Sequence, residues 1–148
     1  MIHDGIKLKG RLKIEVTAPD GNVIDTKEVD NLVVTDGKEY VASRMAGTSA
    51  SVMSHMAIGD NSTAAAVGQS ELSNEVARVS LTSTSVNDND VVYVATFPAN
   101  TPSTQKSVVE AGIFNGSSTG TMLCRTVFGT ITKSASDSLT ITWTVSAS

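Results

Sequence analysis

Leu139-Thr140-Ile141-Thr142-Trp143-Thr144-Val145 alternates a large apolar residue with threonine at every step. A strand turns successive side chains to opposite faces, so this period of two puts Leu, Ile, Trp and Val on one face and the hydroxyls on the other. Thr, Ile and Val are branched at Cβ and stiff at χ1, which suits a pleated backbone better than a helix. The stretch reads as a half-buried strand with Trp143 turned inward.

The same alternation recurs on both sides. Leu8, Gly10, Leu12, Ile14 and Val16 share one face near the start of the chain, and Lys9, Arg11, Lys13 and Glu15 share the other. Pro19-Asp20-Gly21-Asn22 is a turn signal, since Pro presets φ and Gly or Asn takes a left-handed position. Residues 23–29 return as the second arm of a hairpin. From residue 74 onward strand follows strand. Residues 74–86 alternate, Asn87-Asp88-Asn89-Asp90 turns, 91–97 runs to a stop at Pro98, and 107–115 follows a loop at 99–106. Gly116 to Gly120 turns again, 122–131 is a strand expected to break at Gly129, and Lys133 to Asp137 leads into the opening stretch.

One helix interrupts this pattern. Asp36 with Glu39 three residues on has the form of an N-cap and its capping-box partner, Tyr40, Val41, Arg44 and Met45 fall at helical spacing, and Gly47 is a C-terminal stop. Residues 48–70 are the least regular: a surface loop, a short strand at 53–59, a turn at Asp60 to Thr63 and one helical turn at Ala64 to Ala66. The chain is expected to be all-β, an antiparallel β-sandwich of jelly-roll type with one short helix at about residues 36–46. It is expected to form a single domain over 1–148, with an N-terminal arm at 1–7.

Composition narrows the function. Hydrophobic residues are 40% of the 148, enough for a core, but aromatics are only 4% and charged residues 18%. The net charge of −4 sets nucleic acid aside as a partner, because phosphate contacts need Lys and Arg. The single cysteine, Cys124, excludes an internal disulfide and a multi-cysteine zinc site, and reads as a small core residue. Met1-Ile2-His3-Asp4 turns polar at once, without the apolar core of a signal peptide, and no stretch reaches the length of a membrane span. A protein made without a secretion signal, with no membrane partner, is expected.

Catalytic arrangements are not evident. The two histidines are His3, at the start of the chain, and His55, between Met53 and Met56. There is no nucleophile elbow and no phosphate-cradling glycine loop. Gly59-Asp60-Asn61 and Asn87 to Asp90 lack the spacing of a calcium loop and read as turns. Glu110 and Asp137 offer two carboxylates for sugar cleavage by position alone, and sparse aromatics argue against a sugar cleft. No enzyme, cofactor or metal is expected.

Glu110 remains. It stands inside Ser107-Val-Val-Glu-Ala-Gly-Ile-Phe-Asn115, an otherwise apolar run. A buried carboxylate without a partner costs several kcal/mol. Arg78 and Arg125 both sit in apolar surroundings and carry the fork that pairs with carboxylate. Glu110 is expected to bridge strands through Arg78, Arg125 or both, fixing register or locking one subunit to the next.

Several stretches together resemble a family of small structural proteins of tailed-bacteriophage virions. They are Asp30 to Lys38, Met56 to Thr63, Leu72 to Arg78, Glu110 to Asn115 and Lys133 to Trp143. The resemblance covers most of the chain from residue 30 onward, and the E-A-G-I-F stretch is also similar to segments of tail-fibre and baseplate proteins. It implies a β-sandwich that oligomerises, often as a homotrimer, and binds the major capsid protein or tail proteins of the same virion, with no catalysis. Localisation in the virion, after assembly in the host cytoplasm, is implied with it. The short chain lacks the coiled coil of a fibre shaft, which favours a capsid cement, or decoration, protein over a tail, baseplate or tail-fibre attachment protein. A carbohydrate-binding module for host attachment is the third reading. Partner contacts are assigned to the arm (His3, Asp4), the loop at 48–55 (Thr48, Ser51, His55) and the loop at 99–106 (Thr101, Ser103), although such loops are commonly just solvated connections.

Overall fold

A computed structural model describes residues 7–47 and 50–147. The N-terminal arm, apart from Lys7, lies outside the described residues. The strands are β1 (Leu8–Thr17), β2 (Val23–Val33), β3 (His55–Gly59), β4 (Glu75–Ser80), β5 (Ser83–Asn87), β6 (Asp90–Phe97), β7 (Lys106–Phe114), β8 (Met122–Lys133) and β9 (Ser138–Ala147). The helix α1 (Thr35–Met45) lies between β2 and β3. The protein is all-β with a single short helix, as its alternation requires.

All nine strands form one antiparallel sheet in the order β4-β3-β7-β8-β2-β1-β9-β6-β5. Consecutive strands pair as hairpins in β1–β2, β3–β4, β5–β6 and β7–β8. Distant strands pair in a nested series, β1 with β9, β2 with β8 and β3 with β7. The sheet has two halves. One is β2-β1-β9-β6-β5, the other β4-β3-β7-β8, and the ladder that joins them is short, pairing Leu32 with Arg125 and Val33 with Cys124. Beyond that joint the sheet curls, bringing β4 against β6. Consecutive strands pair side by side within one curled antiparallel sheet, which bears out the all-β, antiparallel part of the expectation.

The curl encloses a single core. Leu12, Ile14, Phe97, Ile141 and Trp143 come from one half, and Met56, Ile58, Ile113 and Ile131 from the other. Each such side chain contributes about 1.5–3 kcal/mol on burial. Trp143 is fully buried and donates its indole N–H to Asn31 Oδ1 at 3.0 Å. Asn31 on β2 is paired with Gly10 on β1, and its side chain passes over Gly10, where a Cβ would stand 1.5 Å from Oδ1, to reach Trp143 on β9. Gly10 is thus the space into which the Trp143 partner fits.

Three sequence expectations change locally. The run read as one strand over 74–86 divides at Leu81 and Thr82, whose amides bond to Ser54 and Val94 respectively, so β4 and β5 belong to different halves. Strand β8 passes through Gly129 without a break. The helix starts one residue earlier than expected, with Val34 as N-cap and no side-chain cap. Asp36 instead lies in the first turn, where its charge suits the helix dipole. Gly47 ends the helix with φ +72°, the left-handed stop its sequence position promised.

Candidate functional site

The half built from β4-β3-β7-β8 is buried on both faces in its middle. Its inner face joins the main core, and its outer face carries a separate apolar cluster of Val34, Ala57, Leu72, Phe114 and Met122. What covers that outer face is the irregular segment 60–74, and what holds the segment is Glu110.

Glu110 and Arg125 are both completely buried. The guanidinium gives Glu110 Oε1 two hydrogen bonds, 3.1 Å from Nε and 3.0 Å from Nη2. The carboxylate also accepts three backbone amides of the covering segment: Ser73 at 2.8 Å, Asn74 at 2.8 Å and Asn61 at 3.2 Å. Arg125 completes the set by donating to Gln69 Oε1 at 3.0 Å and Ser73 Oγ at 3.1 Å. Glu110 therefore does more than bridge strands. It gathers both ends of a segment that has no strand or helix of its own. Gly59 permits this approach, because a Cβ there would lie 2.5 Å from both Glu110 Oε2 and Asn74 O.

Arg78 does not meet Glu110, contrary to one of the two pairings its sequence context allowed. It forks onto Glu75, Nη2 to Oε1 at 2.6 Å and Nε to Oε2 at 3.1 Å. Its remaining nitrogen donates to the carbonyls of Gly116 and Thr119 at 2.9 and 2.8 Å, and the guanidinium lies 3.8 Å from the centre of the Phe114 ring. The reason is register. Arg78, Ala57, Gly112 and Arg125 stand in one row across β4, β3, β7 and β8. The two arginines are at opposite ends of that row, each with its own carboxylate. The small residues between them leave a trough for Leu72, whose Cδ2 would lie 3.0 Å from a Cβ on Gly112.

The residues assigned to partner contacts are dispersed. His3, Asp4 and Thr48 lie outside the described residues. Ser51 is exposed and its carbonyl accepts a bond from Asn115 at 3.2 Å. His55 is half-buried between Ser54 Oγ, 2.7 Å from Nδ1, and Ser80 Oγ, 3.4 Å from Nε2. Thr101 is half-buried and Ser103 exposed, beside a cis Thr101–Pro102 bond. Glu110 and Asp137 do not form a pair. Asp137 sits at the turn into β9, where its carbonyl receives Lys133 Nζ at 2.8 Å. Lys133 also donates to Pro98 O at 3.1 Å, a buried cation the sequence did not single out. Burial lowers its pKa, and the nearby Asp137 charge partly opposes that effect.

Among the described residues no three His, Cys, Asp or Glu side chains come together in a group suited to a metal ion. No helix among them is long and apolar enough to cross a membrane. The Cys124 thiol is buried and its pKa is pushed well up by desolvation, away from the thiolate a nucleophile needs. Comparison of the chain with protein-family models, curated proteins and solved structures finds no match.

Proposed function

We propose that the protein is a structural component of a tailed-phage virion, a cement protein that binds the outside of the capsid shell and stabilises it. The observation that carries this reading is where four of the five phage-like stretches meet. Asp30 to Lys38, Met56 to Thr63, Leu72 to Arg78 and Glu110 to Asn115 lie far apart in sequence, yet all converge on the clasp around Glu110. Val34 and Thr35 bond to Leu123 and Val67, Asn61 and Asn74 to Glu110, and Arg78 to the turn after β7. The charged groups at that centre are turned to the chain itself, as suits a site that maintains shape. A buried pair that fixes one geometry serves a subunit that must repeat identically over a surface.

Sugar stacking, the alternative for a host-attachment module, is disfavoured by the aromatic rings. Trp143 is fully buried and Tyr93 nearly so. The test has two parts. Light scattering on the purified protein measures its mass, for which a homotrimer is expected. Titration onto empty capsid shells and onto isolated tails follows, for which saturable, high-copy binding to shells is expected. Binding to tails alone would move the protein to a tail, baseplate or fibre attachment role. Binding to neither would remove the virion reading.

A further inference from the structure

Four strand edges lack a full neighbour among the described residues: β4, β5, the part of β2 before Leu32 and the part of β8 after Arg125, where the ladder with β7 is bulged. Natural sheets blunt such edges with charges, prolines or bulges, because unpaired N–H and C=O groups recruit other strands. The open part of β2 carries Asp25, Lys27, Glu28 and Asp30, and β4 carries Glu75 and Arg78. Strand β5 has none of these devices. Its sequence is Ser83-Thr84-Ser85-Val86-Asn87, it is exposed throughout, and it pairs with β6 without a bulge. Val86 is 74% exposed.

Which groups β5 presents follows from its turn. Asp88 and Asn89 form a two-residue connection with Asp88 at φ +52°, so the flanking Asn87–Asp90 pair is a hydrogen-bonded one. Hydrogen-bonded and non-bonded pairs alternate, making Ser85–Val92 and Ser83–Val94 bonded pairs too. Thr84 and Val86 therefore direct their N–H and C=O groups to the open side.

We propose that this edge pairs with β5 of a second copy, antiparallel, about a two-fold axis through Ser85. In that register Thr84 of each chain faces Val86 of the other, and the outward backbone groups of the two residues form four hydrogen bonds. Thr84 and Val86 lie on the face of Tyr93 and Val91, so the β-branched pairs extend an apolar stripe already present. On the other face Ser85 meets Ser85 and Ser83 meets Asn87, hydroxyl and amide groups that can bond to each other. The strand itself carries no charged residue, so no like charges meet along it. The strand is complementary to itself at every position, which is the reason to choose a second copy over an unrelated strand. The contact is short and becomes well populated where copies are held close together. It does not depend on the virion reading.

Cysteine trapping tests it. Across the axis the two Ser85 positions form a non-hydrogen-bonded pair with Cα atoms about 4.5 Å apart, within the span a disulfide closes. Cys124 is buried, so an introduced surface thiol reports alone. Under mild oxidation Ser85→Cys should form a disulfide-linked dimer at least about tenfold faster than Ser118→Cys on the exposed turn after β7. Adding Val86→Lys should slow that reaction about tenfold, with circular dichroism unchanged. Equal rates for the two cysteines, or a rate indifferent to Val86→Lys, would overturn the proposal. So would a Ser85→Cys thiol that stays monomeric alone and is shielded only by capsid shells, since the occupant would then be a partner's strand.

Discussion

At the scale of single residues the fold depends most on Glu110. Glu110→Gln keeps the size of the side chain but leaves the Arg125 charge buried without its counter-charge. Breaking a buried pair from one side costs about 3–5 kcal/mol, to be read as a shift in the urea midpoint at constant slope. Glu110→Leu combined with Arg125→Met should cost clearly less than the two single changes added, because neither charge is then stranded. Tyr93 supplies a pH dependence. Burial, with smaller contributions from Tyr40 and Cys124, raises its pKa to about 12. A phenol with a higher pKa folded than unfolded keeps its proton longer in the native state. Its contribution is thus complete below pH 10 and is lost as pH rises from 10 towards 12. Melting temperature against pH should fall in that window, and Tyr93→Phe should flatten the fall. The pairing of Glu110 with an arginine was legible from one carboxylate and two arginines in apolar runs. Which arginine was not, because the answer lies in the row Arg78–Ala57–Gly112–Arg125, and a row across four strands is set by register.

Among the elements, the strands were the most legible. Alternation marks β1, β6 and β9 because each has one face in the core and one outside. Strand β7 shows no such alternation, being buried on both faces from Val108 to Phe114. The covering segment 60–74 shows only separate turns in its sequence, since its order comes from amide bonds to a carboxylate 36 to 49 residues away. The expected helical turn at Ala64 to Ala66 does not form. The helix was misplaced by one residue because its docking, not its capping, fixes it. Gly37 is buried, and a Cβ there would lie 2.0 Å from Leu123 O on β8. Gly37→Ala raises helix propensity, yet it should destabilise the protein by about 1–3 kcal/mol through this overlap. Thermal denaturation of the variant checks the sign. In Glu110→Gln, limited proteolysis should cut first within 60–74, the segment whose amides lose a charged acceptor.

For the whole molecule the sequence conveyed the class but not the course of the chain. Short-range turns such as Asp88–Asn89 are written locally, whereas β1–β9, β2–β8 and β3–β7 join residues more than fifty positions apart. Because one core serves both halves, calorimetry should show a single cooperative transition, and two resolved transitions would count against it. The nested pairing has a further effect during synthesis. Strand β1 leaves the ribosome early, but its place in the sheet lies between β2 and β9. Strand β9 also separates β1 from β6, so the first hairpin and the β5–β6 hairpin have no hydrogen-bonded connection until the residues around Trp143 emerge. A nascent chain halted before them carries the bare apolar faces of those hairpins, a natural substrate for a holding chaperone. Strand β9 is therefore the keystone whose arrival joins the two hairpins into one sheet.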